Sequence, residues 1–252
     1  MQTFLVLIYG LLIGSFLNVC IYRIPRNESI SFPPSHCTNC KNRIKWYDLV
    51  PVISYIFLKG KCRYCGEKIS VRYPLIELTT GVIFLALNIE YGLSFSFFKY
   101  AVLVCFLIVI GMIDLDTTDV YLKTTLPGII IGIILIITGY FIGYYFKSDM
   151  LYYAYGGLLG GGLISLIILL TKGMGWGDAE ICLLTGLFLG FKLTILMLFF
   201  AFVFGGFIGV LLVLLKKKSR KDYIPFGPFI SAAGIFTILF GEKIIAWYIG
   251  LF

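Results

Sequence analysis

Long apolar runs separated by short polar breaks make up most of the chain. They fall at about residues 3–22, 74–91, 99–115, 125–146, 154–171, 180–195, 196–215 and 225–251. Helices of roughly 17–25 apolar residues cross a hydrocarbon core, and most of these runs reach that length. A polar stretch over 23–73 interrupts the series after the first run. The pattern predicts an all-α polytopic membrane protein with about eight transmembrane helices and a large loop after the first. Between the sixth and seventh runs the only polar break is Phe191-Lys192. The sixth span is therefore expected to be short, or tilted and broken, and seven spans is the alternative.

Composition agrees with the pattern. The chain is 60% hydrophobic and 13% charged, against about 25% charged in an average soluble domain. The net charge of +8 could suggest nucleic acid, but the basic residues sit in short loops between spans, where the positive-inside rule puts them. With the N-terminus outside, the cytoplasmic loop after the first span holds Arg23, Arg26, Lys41, Arg43, Lys45, Lys59, Lys61, Arg63, Lys68 and Arg72. Lys123, Lys172 and the cluster Lys216, Lys217, Lys218, Arg220 and Lys221 also fall inside. Only Lys99, Lys147, Lys192 and Lys243 fall outside. Eight spans with both termini outside satisfy this asymmetry, whereas fusing the sixth and seventh puts the 216–221 cluster on the wrong face. The residues Met1-Gln2-Thr3-Phe4-Leu5 lack the positive region of a cleavable signal, and Arg23 and Arg26 follow the first run, so it is read as a retained span.

Seven cysteines divide into two kinds. Cys20, Cys105 and Cys182 lie in or beside apolar runs and read as small core residues. Cys37, Cys40, Cys62 and Cys65 form two Cys-x-x-Cys pairs in the polar loop. A two-residue gap lets both sulfurs of a pair face one metal, and two pairs complete a tetrahedron, so the spacing predicts a structural zinc site with no open position. A cytoplasmic location keeps such thiols reduced and disfavours disulfides. His36 is then a bystander. The apolar segment Val50–Leu58 is too short to span and reads as interfacial or re-entrant.

Two acids stand at the edges of spans. Asp114 ends the third run, ahead of the more water-accessible Asp116 and Asp119, and Asp178 precedes the sixth in Gly175-Trp176-Gly177-Asp178. The plain reading of Asp178 is a helix cap, and that of Asp114 is an acid in the headgroup zone. A carboxylate at a helix C-terminus is opposed by the dipole, and an ionisable residue at membrane depth is a functional hypothesis by default. Charge-based topology puts both acids at the cytoplasmic face. Should they meet, one carboxylate activates water while the other, protonated, polarises a scissile carbonyl. Gly175 and Gly177 would shape this site by allowing unusual backbone angles and close approach of a second chain. No other peptidase constellation is present: there is one histidine, no Gly-x-Ser-x-Gly and no His-Glu-x-x-His. An ion-coupled transporter using Asp114 and Asp178 is the alternative, though it calls for broken helices near the bilayer middle and internal repeats. A zinc-bearing scaffold without chemistry leaves both acids unexplained. No repeat of fixed period stands out, and the glycines at 156–157, 160–162, 205–206 and 209 read as helix-packing faces.

The ordered set of short motifs resembles the type IV prepilin peptidases, membrane-embedded aspartic peptidases. The stretches are Gly14-Ser15-Phe16-Leu17-Asn18-Val19 with Tyr22-Arg23, the paired Cys-x-x-Cys loop, Pro51-Val52-Ile53-Ser54-Tyr55 and Arg72-Tyr73-Pro74-Leu75-Ile76-Glu77. Ile113-Asp114-Leu115-Asp116, Leu126-Pro127-Gly128, Gly175-Trp176-Gly177-Asp178 and Pro225-Phe226-Gly227-Pro228-Phe229 follow. The resemblance implies that Asp114 and Asp178 are the catalytic pair. They would cut the basic leader from prepilins or pseudopilins at the cytoplasmic face of a bacterial inner or plasma membrane. It also implies N-methylation of the new N-terminal residue with S-adenosylmethionine as donor. Residues 1–73 would then carry the first span, the zinc loop and the methyltransferase region, and 74–252 the peptidase. Two positions depart from the family pattern. Val120-Tyr121-Leu122 stands where Ile-Pro-Asp is usual, and Glu180 stands where Lys is frequent. The first is expected to reshape the loop, the second to add negative charge, which would either raise the pair's pKa further or attract the basic leader.

Overall fold

The computed structural model describes residues 2–217, 219 and 224–251. Among them the chain forms nine α-helices and no β-sheet: α1 (Gln2–Arg23), α2 (Ile53–Phe57), α3 (Arg72–Tyr91), α4 (Phe95–Thr117), α5 (Leu122–Phe141), α6 (Lys147–Thr171), α7 (Trp176–Leu189), α8 (Phe191–Leu214) and α9 (Gly227–Ile249). Seven of them, all but α2 and α7, are long and apolar enough to cross a membrane. The chain is thus an all-helical, multi-pass membrane protein.

The sixth predicted span is the one that differs. Its helix α7 has 14 residues, about 21 Å of rise against a hydrocarbon thickness of about 30 Å. It does not fuse with α8, because Gly190 adopts a φ of 76° between them. The break therefore falls at Gly190, and Phe191 and Lys192 open α8 instead of dividing two runs at 195/196. An apolar run carries no signal for where a helix ends within it. The positive φ of one glycine does.

Two compact units divide the chain, Met1–Gly92 and Leu93–Phe252. In the first, α1 and α3 pack antiparallel with very close backbones. A Cβ on Gly10 would lie 2.8 Å from the Gly81 Cα, and one on Gly14 would lie 2.8 Å from the Glu77 Cα. One turn further on, Asn18 donates its side-chain N–H to the Tyr73 carbonyl at 3.1 Å. Lipid supplies no hydrophobic drive for such pairing, so close van der Waals packing at small residues has to supply it. The α3 run, placed by its sequence position with the second part of the chain, thus belongs to the compact unit of α1.

The second unit is a bundle of α4 to α9. Its centre holds Leu103, Val104, Leu107 and Ile110 of α4 with Ile181, Leu184 and Phe188 of α7 and Ile230 and Ala233 of α9, all buried. Helix α6 presents its glycines to α7: a Cβ on Gly156 would meet the Gly186 carbonyl oxygen at 2.5 Å, and one on Gly160 would come within hard contact of the Cys182 carbonyl. These glycines are the expected packing face. Lys99 is 1% exposed, donating to the Tyr153 hydroxyl at 3.0 Å among the rings of Tyr100 and Tyr153. Of the basic cluster over 216–221, Lys218, Arg220 and Lys221 lie outside the described residues.

Candidate active site and metal centre

Asp114 occupies the last turn of α4. Thr118, left-handed at φ 57°, ends the helix and donates its N–H to the Asp114 carbonyl at 2.8 Å. The Asp114 side chain is buried, 2% exposed. Its Oδ2 accepts the backbone N–H of Gly227 at 2.9 Å, across 113 positions of sequence. Gly227 is the first residue of α9, so its N–H is one of the donors that a helix start leaves without an intrahelical partner. A Cβ there would sit 2.5 Å from the Asp114 Oδ2 and 3.0 Å from the Ile181 Cδ1. Any larger residue here would have to push aside the Asp114 carboxylate and the end of the Ile181 side chain.

Asp178 lies in the first turn of α7, three residues before Ile181, and is 3% exposed. Its Oδ2 accepts the Gly175 backbone N–H at 3.1 Å. The expected cap is therefore real, made from the third helical position back to the residue before the helix. Each acid is thus buried in the second unit and held by an N–H from the start of a helix, where the dipole favours a carboxylate. Asp116 and Asp119, by contrast, are exposed.

The glycines act differently from expectation. Gly175 has ordinary backbone angles, φ −84° and ψ 152°, and a Cβ there would come no nearer than 3.9 Å to anything, at Asp178 Oδ2. Its contribution is the N–H. Gly177 is the position that needs to be small, because Val120 packs where its Cβ would be. The altered Val120-Tyr121-Leu122 segment therefore lies directly on the Gly-Asp turn. Glu180 accepts the Thr125 hydroxyl at 2.6 Å, which ties α7 to α5.

In the first unit the four loop cysteines converge. Their sulfurs all lie within 4.8 Å of one another, and Cys37 and Cys65 are 3.8 Å apart. Four thiolates about 2.3 Å from a zinc ion define a tetrahedron with edges of about 3.8 Å, so the cluster could hold zinc. None of the cysteines is in a disulfide. Each pair is built on the same knuckle. The Cys37 N–H donates to the Asn42 carbonyl and the Lys41 N–H to the Cys37 carbonyl, both at 3.0 Å. In the second knuckle Cys62 N–H to Glu67 and Gly66 N–H to Cys62 repeat those bonds at 2.8 and 3.0 Å. The bridges His36–Arg43 and Lys61–Lys68 close both. A two-copy unit offset by 25 residues, Cys37 to Cys62, is thus present where no fixed period stood out, because only the cysteines and the turn geometry repeat. Backbone N–H groups of Cys65 and Tyr64 bring the Cys62 thiol down to about 7. Despite an N–H from Glu67, burial and the neighbouring sulfurs of Cys62, Cys40 and Cys37 push Cys65 up to about 11. Arg63 grips Asp48 with two bonds, Nε to Oδ2 at 2.8 Å and Nη2 to Oδ1 at 2.5 Å, fastening the 3₁₀ turn Trp46–Leu49 to the second knuckle. His36 bonds the Pro34 carbonyl through Nδ1 at 3.0 Å.

Comparison with known proteins covers both units. Residues 8–91 match the family model described as the bacterial peptidase A24 N-terminal domain, and residues 101–210 match the type IV leader peptidase family. A Bacillus subtilis (strain 168) protein named prepilin leader peptidase/N-methyltransferase is 33% identical over 250 residues, 96% of this chain and 96% of its own length. Proteins of the same name from Pseudomonas putida and Neisseria gonorrhoeae are 31% and 33% identical over 264 and 262 residues. These alignments take in 95% and 91% of this chain, and 91% and 88% of theirs. No solved structure matches the chain.

Proposed function

The chain belongs to the type IV leader peptidase family, and from that premise we propose that it cleaves the leader peptide of type IV prepilins or pseudopilins with Asp114 and Asp178 as the catalytic pair. What supports this reading is that both carboxylates are buried in the second unit, and that Gly227 packs between Asp114 and Ile181, three residues after Asp178. In the proposed dyad two like charges do not ionise together at low cost, so the working form holds one proton between them. The ionised carboxylate takes a proton from water as that water's oxygen bonds to the scissile carbonyl carbon. The protonated one donates to the carbonyl oxygen. Collapse of the tetrahedral centre breaks the C–N bond and returns a proton to the leaving amine. The N–H groups of Gly227 and Gly175 keep both carboxylates oriented throughout.

The site is assigned to the cytoplasmic face, with both termini outside, on the distribution of Lys and Arg, an arrangement in which the 14-residue α7 crosses as a short eighth span in a locally thinned bilayer. The membrane is bacterial, inner or plasma, and the pilin contributes an apolar helix that enters it. Zinc held by Cys37, Cys40, Cys62 and Cys65 is structural, since four protein ligands leave no position for water. The family's second activity follows the first: the newly exposed α-amine is methylated. S-adenosylmethionine, when bound, would supply that methyl to the amine nitrogen, leaving as the neutral thioether while the nitrogen gives up a proton. The transporter alternative has nothing in its favour once the family is known.

Purified protein with a leader-bearing prepilin tests the pair. Wild type is expected to cut it, while Asp114→Ala and Asp178→Ala each abolish cleavage and remain folded. Normal cleavage by either variant rejects the assignment.

A further inference from the structure

A cavity of about 500 Å³ lies within the first unit, between the cysteine knuckles and the facing ends of α1 and α3. That volume suits a small molecule. Tyr22 of α1, Tyr55 of α2, and Tyr73 and Glu77 of α3 line it. Glu77 is 8% exposed. Its Oε2 accepts the Val52 N–H at 2.8 Å, and the Ser15 hydroxyl bonds the same carboxylate. Among the described residues no lysine or arginine forms an ion pair with it. A carboxylate so enclosed is costly to keep charged unless a cation sits beside it.

The group that holds Glu77 is itself strained. Val52 has φ 61° and ψ −49°, at the centre of a three-residue turn in which the Ile53 N–H returns to the Pro51 carbonyl. A γ-turn of this hand is rare, and a β-branched residue at positive φ is an outlier. What the strain achieves is to aim one N–H into the cavity at Glu77. An outlier of that kind points toward function.

We propose that this cavity binds the methyl donor, with the sulfonium of S-adenosylmethionine seated against Glu77; the assignment rests on the methylation reading above. A sulfonium carries positive charge but no N–H or O–H, so no hydrogen-bond acceptor can recognise it by geometry. A fixed carboxylate and aromatic rings are the groups that can, and Glu77 with the lining residues Tyr55 and Tyr73 supplies both kinds, while Tyr22 already carries the Arg26 guanidinium 3.9 Å from its ring centroid. Of the cations lining the cavity, Arg23 is held by the Ser29 and Pro33 carbonyls and Arg63 by Asp48, so the donor would bring a cation to Glu77 itself. A purely bracing role for Glu77 needs only an acceptor for Val52 and is indifferent to charge.

Calorimetry on the full chain in detergent separates these roles, using S-adenosylmethionine and S-adenosylhomocysteine, the neutral thioether of the same shape. Wild type is expected to bind both. Glu77→Gln keeps an acceptor but not the charge, and should weaken the sulfonium ligand by at least about tenfold while leaving the thioether nearly unchanged. Glu77→Asp should keep the preference for the sulfonium, and stands in for the charge test if Glu77→Gln loses its zinc. Val19→Trp, from another wall of the cavity, should weaken both ligands. Equal loss of the two ligands in Glu77→Gln, or no loss, overturns the sulfonium contact. Unchanged binding by Val19→Trp overturns the cavity. A wild-type protein that cuts prepilin but binds neither ligand overturns the methylation reading and leaves the peptidase intact.

Discussion

Gly227 donates its backbone N–H to Asp114 at 2.9 Å, and its Cα stands so close that a methyl group there would collide with the same carboxylate oxygen. The residue is both a hydrogen-bond donor and a spacer. Gly227→Ala is therefore expected to keep the N–H but drive Asp114 off its position. A displacement of about 1 Å in a catalytic group costs on the order of a hundredfold in rate. Prepilin cleavage should fall by that factor with helical content unchanged, and a variant cleaving at the wild-type rate would show that Asp114 has room to move.

The two glycines of the turn should respond unequally. Gly175→Ala places a methyl in free space at an ordinary φ, so cleavage and thermal stability should stay close to wild type. Gly177→Ala drives a methyl into Val120, and overpacking of this kind costs about 1–3 kcal/mol. Val120→Gly in the same chain should recover part of the loss. Melting temperatures of the three variants decide it.

Asp114 and Asp178 act as one unit under the proposed mechanism, so their losses should not add. Asp114→Asn, Asp178→Asn and the double variant are expected to show the same residual cleavage, as residues of a shared catalytic step do. A double variant much slower than either single one would mean that each acid works alone.

The knuckles should hold about one zinc per chain, and Cys37→Ser should lose it. The Arg63 guanidinium holds the Asp48 carboxyl below the usual carboxylate range. A group depressed in the folded state stabilises above its unfolded pKa, and that stabilisation disappears as pH falls through the folded value. At neutral pH, Arg63→Gln should thus open the Trp46–Leu49 turn to protease more readily than wild type. The gap between the two proteins should close on acidification below about pH 4. A gap that persists there would mean the pair is not what fastens the turn.

How much of this was legible in the sequence depends on the range of each interaction. The apolar runs and the Cys-x-x-Cys spacing are local, and they led to the helices and the sulfur cluster directly. Asp114 and Asp178 stood out because an acid beside a span is conspicuous by itself. Gly227 did not, since its reason is a contact 113 positions away. It sat unremarked within Pro225-Phe226-Gly227-Pro228-Phe229. In the turn both glycines were given one reason, yet within the chain they differ: Val120 packs on Gly177 and nothing packs on Gly175. The γ-turn at Val52 was beyond reach, because no residue preference predicts a valine at positive φ.

The glycine seat between α6 and α7 has a mechanical consequence. Asp178 is carried at one end of a short rod whose far end is Gly190, about 18 Å away along the axis. Each degree of tilt about that end would swing the carboxylate by about 0.3 Å. Side chains would give such a rod compliance, since they can change rotamer. Gly156 and Gly160 instead set it backbone against backbone, on surfaces with no rotamers to change. The aim of the acid is thus determined by the stiffness of contacts that begin about one turn from it, at Cys182, and run to Gly190 at the far end of the rod.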